Sequence, residues 1–291
     1  MLKSMTGFGR AEMNVGDKTF LVDIKSLNGK QFECSIKMPA FLKPFEFDIR
    51  KRLSEKLQRG TIDCMISLKQ TGNAKPVTVN ISLAKAYFQS ISELSAELGL
   101  DPSQILGNIL KLPEVITPTS ETLTDDEWIE FRKIIDTAVD DLNNHRLEEG
   151  KVLEEDLLKR ISNIEKHEKL IATLEPQRKQ KIRDGLVKLL EENVGSDNYD
   201  KNRLEQEIIF YIEKIDISEE QVRLRNHCDY FRSLLNQNDA EIGKKLSFLL
   251  QEIGREINTT GAKAYDSTIQ QSVVMMKDEL EKAKEQVLNV L

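Results

Sequence analysis

KKLSFLLQEIGREINTTGAKAYD, residues Lys244–Asp266, reads as a helix with one apolar face and a charged flank. Leu246, Leu249, Leu250, Ile253 and Ile257 recur at three- and four-residue spacing, the period of a single helical face. Lys245, Glu252, Glu256, Thr259 and Lys263 share a second stripe, because steps of seven, four, three and four return to nearly the same angle. At about 100° per residue this stripe borders the apolar face rather than opposing it. Two carboxylates a turn apart, flanked by cations at the edge of a core, can bind a divalent metal or position a phosphate. The same charges also fit a plainer arrangement, in which Glu252 and Glu256 pair with Lys245, Arg255 or Lys263 on a solvated helix border.

Upstream, Arg203–Arg232 carries a second polar stripe. On a helix Glu220, Arg223 and His227 fall on one face. Asp216 joins them only if the helix is continuous, and Ser218-x-x-Gln221 resembles a capping box that starts a new one. An acid, an arginine and a histidine together suit phosphodiester chemistry. His227 can shuttle a proton or ligate metal, Arg223 can grip a phosphate with two N–H groups, and Glu220 can orient the imidazole or hold metal. An intrahelical salt bridge beside a partly exposed histidine accounts for the same residues. His145 and His167 sit in charged helical surroundings and receive no role.

The remaining chain beyond about residue 82 is also helical in pattern. Ser82–Leu98 is one helix and Asp101-Pro102 opens a short one. Thr124-x-x-Glu127 is a capping box that starts a helix at Asp125. From there to Val194 nearly every residue is a helix former, with a stripe through Leu153, Leu157, Ile161, Ile164 and Leu170. Pro176 is expected to bend or break this stretch into two long arms.

The first seventy residues differ. Phe20, Val22 and Ile24 alternate with Leu21, Asp23 and Lys25, and Phe32, Cys34, Ile36 and Met38 alternate likewise, as strands do. Asn28-Gly29 supplies turn chemistry between them. Pro44–Gln58 reads as a helix with Gly60 beyond its end, Thr61–Lys69 as a further strand, and Ser4–Glu12 as an earlier one. The expected fold class is α+β: a small N-terminal mixed β/α layer followed by a large, long-helix C-terminal body. Three regions are expected: 1–75 as a basic α+β domain, 82–200 as a helical middle with long arms, and 201–291 as the helical domain carrying the polar stripes.

Composition narrows the function classes. The 291 residues carry a net charge of −7, but residues 1–70 hold thirteen Lys/Arg against eight Asp/Glu, so a basic end sits on an acidic body. That asymmetry suits a phosphate-attracting surface, although it is also within ordinary scatter. Charged residues make up 31% of the chain, and no apolar run approaches membrane-spanning length. The start, MLKSMTGFGRAE, lacks the apolar core of a secretory signal, so a cytoplasmic setting is expected. Cys34, Cys64 and Cys228 fit buried hydrophobes better than a disulfide framework or a zinc site. P-loop, G-x-G-x-x-G and H-E-x-x-H motifs are absent. Thr6, Gly7, Gly9 and Arg10 either offer backbone amides and a cation to phosphate or form a glycine-kinked edge strand.

Taken in order, these segments resemble the YicC/YloC family of bacterial endoribonucleases. Ser4-Met5-Thr6-Gly7-Phe8-Gly9-Arg10 is similar to the family's S-M-T-x-[FY]-[GA]-R opening, Asn28 and Lys30 to its Asn-x-Arg pattern, and Arg59-Gly60 to its Arg-Gly. Arg203–Glu207, Asp216–Glu220, Arg223-Leu224 and His227 resemble its C-terminal segment. So do Gly243, Gln251-Glu252, Arg255-Glu256, Asn258-Thr259, Lys263 and Asp266. The resemblance implies a divalent-metal-dependent endoribonuclease (Mg or Mn), assembled as a ring-like hexamer and acting on RNA. Under that implication Glu220, Glu252, Glu256 and Asp216 hold metal, and His227, Arg223, Glu252 and Glu256 form the catalytic set. Lys263 and the basic layer of Arg10, Lys30, Arg50, Lys51, Arg52 and Arg59 bind RNA. A non-catalytic RNA-binding or scaffolding oligomer is the competing expectation. Asp266, just before a new helix, is better explained as its N-cap.

Overall fold

A computed structural model of the chain describes residues 2–15, 18–29, 31–69, 78–99, 105–117, 123–195, 200–237 and 241–291. Its strands are β1 (Gly7–Val15), β2 (Lys18–Leu27), β3 (Phe32–Lys37), β4 (Gly60–Lys69) and the two-residue pair β5 (Thr78–Val79) and β6 (Ile116–Thr117). Its helices are α1 (Glu46–Leu57), α2 (Ile81–Leu98), α3 (Ile105–Ile109), α4 (Asp125–Val194), α5 (Lys201–Lys214), α6 (Ser218–Leu235), α7 (Ile242–Lys263) and α8 (Ser267–Val287). The α+β class and its N-to-C order are as expected from the pattern.

The alternation read from β2 holds: Phe20, Val22 and Ile24 are fully buried, as are Cys64 opposite Ile24 and Ile62 opposite Ser26 on β4. The order of the main sheet is β1-β2-β4-β3. β3 does not form a hairpin with β2. It runs parallel to β4 after the α1 crossover, and β4 lies between the two. Asn28-Gly29 therefore joins strands that do not pair, and Gly29 does not have positive φ. Instead Asn28 Nδ2 donates to the Leu288 carbonyl at 2.7 Å.

One helix organises everything else. The Thr124 capping box forms as expected, with Thr124 accepting from Glu127 N and the Glu127 side chain accepting from Thr124 N. The helix it starts, α4, is 70 residues long, which at 1.5 Å per residue spans about 105 Å. Pro176 lies inside it without ending it, contrary to the expectation of two arms. The lost N–H and the ring clash cost about 3 kcal/mol, so neighbouring contacts must offset them. Ile171 packs in the core just before the proline. Just after it, a buried Arg178 pairs through two 2.7 Å contacts with Glu175 and donates to the Ile215 carbonyl at 2.8 Å.

Two cores share α4. Its first turns, through Trp128, Phe131, Ile135 and Leu142, pack on the sheet and α1. There Trp128 stacks on Phe45 at 4.2 Å and Phe131 meets Phe20 edge-on at 5.0 Å. Further along, Leu153, Leu157, Ile161 and Ile164 pack with α6, α7 and α8. Each fully buried Leu or Ile contributes about 1.5–3 kcal/mol. A smaller cluster around Ile105, Ile109 and Val115 holds α2 and α3 together. The chain ends meet: Leu2 enters the α6–α8 core, Ser4 bridges Val290, and Met5 N donates to the Asn289 carbonyl at 2.7 Å. This pairing is why β1 starts at Gly7 rather than Ser4.

β1 lies directly on α4. A Cβ on Gly9 would stand 2.6 Å from Leu142 N and closer still to the Ala138 carbonyl oxygen, and one on Gly7 would stand 2.9 Å from Arg146 Cγ. The Gly-x-Gly-x-Ala run thus removes side chains where strand meets helix, and Ala11 continues the buried face. No phosphate cradle is needed to explain these glycines. Gly9→Ala is expected to destabilise by at least about 1–3 kcal/mol, because backbone atoms must move. Gly185→Ala, on an exposed stretch of α4 with nothing near its Cβ, is expected to stabilise by up to about 1 kcal/mol. Urea denaturation of both variants checks the contrast.

α1 is clamped to α4 by Arg52, whose Nε donates to Asp136 Oδ1 at 2.6 Å, with Lys56 Nζ 2.8 Å from the same oxygen. The Arg52 hydrogen bond, opposed by burial and helped by Lys56, draws the Asp136 carboxyl down to about 2. A depressed folded-state value stabilises above the unfolded value and is lost as pH falls through the folded one. Arg52→Met should therefore be less stable than the parent at neutral pH, with the gap closing between about pH 4 and pH 2. Denaturation midpoints across that range measure it.

Candidate active site

The two polar stripes meet in one chain, in the groove between α6 and α7. The short connection from Leu235 to Ile242 makes these helices antiparallel neighbours. At one end Lys263 Nζ lies 2.7 Å from Glu220 Oε1 and 3.0 Å from the Asp216 carbonyl oxygen. Continuing the antiparallel register from that contact places further residues. His227 lies seven residues beyond Glu220, and Glu256 seven residues before Lys263. Seven residues is about two turns with almost no change of angle. On α6, therefore, His227 shares the face of Glu220, and on α7 Glu256 and Glu252 share the face of Lys263.

The helix break ahead of α6 falls where the sequence suggested, by a different device. Ile217 is the N-cap residue and makes no side-chain cap. The capping oxygen belongs to Asp216: its Oδ1 accepts from Ser218 N at 3.1 Å and Ser218 Oγ at 2.7 Å. Lys179, on α4, adds a contact at 3.0 Å to the same oxygen. Burial pushes the Asp216 carboxyl up, but the Ser218 and Lys179 hydrogen bonds outweigh it and bring it to about 2. Asp216 is thus an ionised cap at the mouth of the groove.

Glu220 and Glu256 are the unusual groups. They are 6% and 5% exposed. Glu220 spends one oxygen on Lys263, and its Oε2 is buried with no hydrogen-bond partner. Glu256 makes no hydrogen bond or ion pair among the described residues, and neither does the half-buried Glu252. Desolvating a carboxylate without a partner costs several kcal/mol. Glu220 sits in the first turn of α6, where the helix N-terminus returns only about 0.3–1 kcal/mol.

The other expected residues are placed as follows. His227 is half-buried and makes no hydrogen bond among the described residues. Arg223 is exposed and pairs with Glu219 rather than Glu220. Asp266 caps α8, accepting from Thr268 N at 2.9 Å and Ile269 N at 3.1 Å. In the basic layer, Arg10 pairs with Asp23, Arg50 with Glu46 and the Cys34 carbonyl, and Arg52 with Asp136. Arg59 donates to the Val290 carbonyl at 2.9 Å. Lys51 is exposed and unpaired among the described residues, while Lys30 lies outside them. The layer is therefore mostly committed to internal pairs. Glu175, Arg178 and Lys179 entered no sequence reading of the site, yet they hold the joint that carries Asp216. Their one signal was the i, i+3 pairing of Glu175 and Arg178 beside the proline.

The oxygen donors match a hard divalent cation in kind. In arrangement they do not yet form a centre: among the described residues no three His, Cys, Asp or Glu side chains stand together at metal-binding range. Lys263 holds the place that a cation would take beside Glu220.

Residues 2–155 match the family model described as endoribonuclease YicC-like, N-terminal region, and residues 171–291 match its C-terminal counterpart. A Clostridioides difficile protein described as probable endoribonuclease YicC is 31% identical over 297 residues, covering all of both chains. One of the same description from Haemophilus influenzae is 29% identical over 292 residues, again covering both completely. With both halves matched and full-length relatives at this identity, the chain belongs to the endoribonuclease YicC-like family.

Proposed function

We propose that this chain is an endoribonuclease that hydrolyses internal RNA phosphodiester bonds at the α6–α7 groove, in RNA turnover. The observation that carries this reading is the meeting of the two polar stripes at Glu220 and Lys263, where one oxygen of the buried Glu220 has no partner and Glu256 lies buried on the Lys263 face of α7. Relatives described as probable endoribonucleases supply the reaction class.

In this reading His227 moves a proton to or from an oxygen of the scissile phosphodiester. Arg223 gives up its exposed pairing with Glu219, worth little in water, to grip a non-bridging phosphate oxygen. Lys263 neutralises the same phosphate as it leaves Glu220. Glu252 and Glu256 hold and orient the attacking water. A bound Mg or Mn ion would supply charge stabilisation and a more acidic water. Its ligands would be Glu252 and Glu256, with Glu220 once Lys263 releases it and Asp216 from the groove mouth. RNA backbone outside the groove would contact Lys51, Lys30 and the exposed surface pairs of Arg10 and Arg50.

A homo-oligomer, a ring-like hexamer by family resemblance, accommodates the apolar surface left open on one chain. Phe88, Leu94 and Leu98 on α2 and Ile209 and Phe210 on α5 are all about half exposed or more. The Glu220–Lys263 and Asp216–Lys179 pairs favour a second reading, a non-catalytic RNA scaffold in which the acids serve only as salt bridges.

Cleavage of an internally labelled RNA, titrated with Mg or Mn and reversed with chelator, separates the two. The nuclease reading expects metal-dependent cleavage that Glu252→Gln with Glu256→Gln lowers by about a thousand-fold, while sedimentation and thermal unfolding stay as in the parent. Full activity in that double variant sinks the carboxylate assignment, and no cleavage by the parent at any metal concentration sinks the enzyme.

A further inference from the structure

Along the α6–α7 groove helix geometry puts three exposed rings and two exposed arginines at the rim, with Lys263 just inside it. Tyr230, Phe248 and Tyr265 are 54%, 65% and 77% exposed. At about 100° per residue Tyr230 lies on α6 beside Arg223, just outside the Glu220–His227 stripe. By the same count Phe248 and Arg255 lie together on α7, just outside the stripe of Glu252, Glu256 and Lys263. The antiparallel register puts Tyr265 at the Glu220–Lys263 end, Tyr230 near the middle and Phe248 at the far end. From Lys263 to Phe248 the groove runs about 22 Å.

Among the described residues the ring pairs are all among Phe20, Phe41, Phe45, Trp128 and Phe131, in the N-terminal core. None of the three rim rings stacks on another aromatic among the described residues. The Arg255 side chain makes no hydrogen bond or ion pair there either. Isolated exposed aromatics are ordinary. Three of them interleaved with Arg and Lys along one groove make the pattern that binds single-stranded nucleic acid, with rings taking bases and cations taking phosphates.

We propose that this rim is the track for unpaired RNA, with Tyr230, Phe248 and Tyr265 stacking on bases and Arg223, Arg255 and Lys263 attracting the phosphates between them. The proposal rests on the ribonuclease reading above. It places the substrate's bases outside the groove and its backbone over the buried carboxylates. A duplex cannot do this, because its bases are already stacked on one another. Local charge favours RNA over a second copy of the chain as the occupant: Arg223 and Arg255 are exposed beside the rings, and such cations draw phosphate.

Fluorescence anisotropy with a short, cleavage-resistant single-stranded oligoribonucleotide tests it, alongside the same oligomer carrying abasic sugars. The parent should bind the abasic oligomer roughly ten-fold or more weakly. Tyr230→Ala with Phe248→Ala should lose a similar factor on the full oligomer and lose the preference for bases. Tyr230→Phe, which keeps the ring, should bind like the parent. A parent that cleaves RNA while the double variant binds with unchanged affinity and base preference overturns the rim alone. So does a double variant that changes sedimentation but not affinity, which would make the rim a contact between copies. A parent that neither binds nor cleaves RNA overturns the rim together with the reading beneath it.

Discussion

The close approach of β1 to α4 is the constraint on which the rest of the structure depends. Strand backbone can rest on helix backbone only where Gly7 and Gly9 have no side chain to interpose. That contact fixes where along α4 the sheet sits. The α6–α8 bundle then packs farther along the same helix, through Leu153 to Ile171. A second close approach ties the N-terminus to this region: a Cβ on Gly150 would stand 2.7 Å from the Leu2 carbonyl carbon. Two cores far apart in sequence are thus spaced by one rigid rod, and the α6–α7 groove inherits its position from it.

The groove itself is an electrostatic demand only partly met. Glu220 and Glu256 are both buried residues, Glu220 keeps one oxygen away from water without a partner, and Lys263 reaches the other. A structure built for stability alone would pair or replace such groups, because apolar residues of similar volume are often at least as stable as a buried ion pair. Lys263 also holds the Asp216 carbonyl, and Asp216 in turn is held by Lys179 of α4. The mouth of the groove is therefore fastened to the central helix through the stretch that contains Pro176. The contacts that keep α4 helical through that proline are the same ones that locate the α5–α6 joint.

Periodicity carried most of the local structure. Alternation in Phe20–Ile24 and the i, i+3/i+4 pattern of Leu246–Ile257 named the buried faces correctly, because burial depends on a period that the residues themselves display. Strand order was hidden: Asn28-Gly29 has the chemistry of a hairpin turn, and only pairing with β4 across the α1 crossover overrides it. The continuity of α4 was hidden for a related reason, since a proline's local cost is visible in sequence and the distant Ile215 carbonyl that offsets it is not. In the groove, the stripes on α6 and α7 could be read one helix at a time. Their meeting at Glu220 and Lys263 could not, because it depends on the register between helices.

The meeting of the chain ends changes how the motif-like residues should be weighed. Ser4, Asn28 and Arg59 all bind the backbone of the last four residues or their neighbours. Beside them Arg146 is 1% exposed, donates to Ser26 Oγ and to the carbonyls of Met5, Leu57 and Arg59, and meets no carboxylate. Burial, and then the nearby Arg59 charge, pull its guanidinium down to about 10. A buried cation held only by carbonyls and one hydroxyl, with its Nε left unpartnered, is costly, and it is tolerated where it joins several segments at once. Here it ties β1, β2, the start of β4 and α4 beside the C-terminal tail. The resemblance at Ser4, Asn28 and Arg59 is thus accounted for by this knot, without any contact to RNA. The weight of a nucleic-acid reading shifts from the basic N-terminal layer to the α6–α7 groove, where Arg223 and Arg255 are exposed and Glu220 keeps one buried oxygen without a partner.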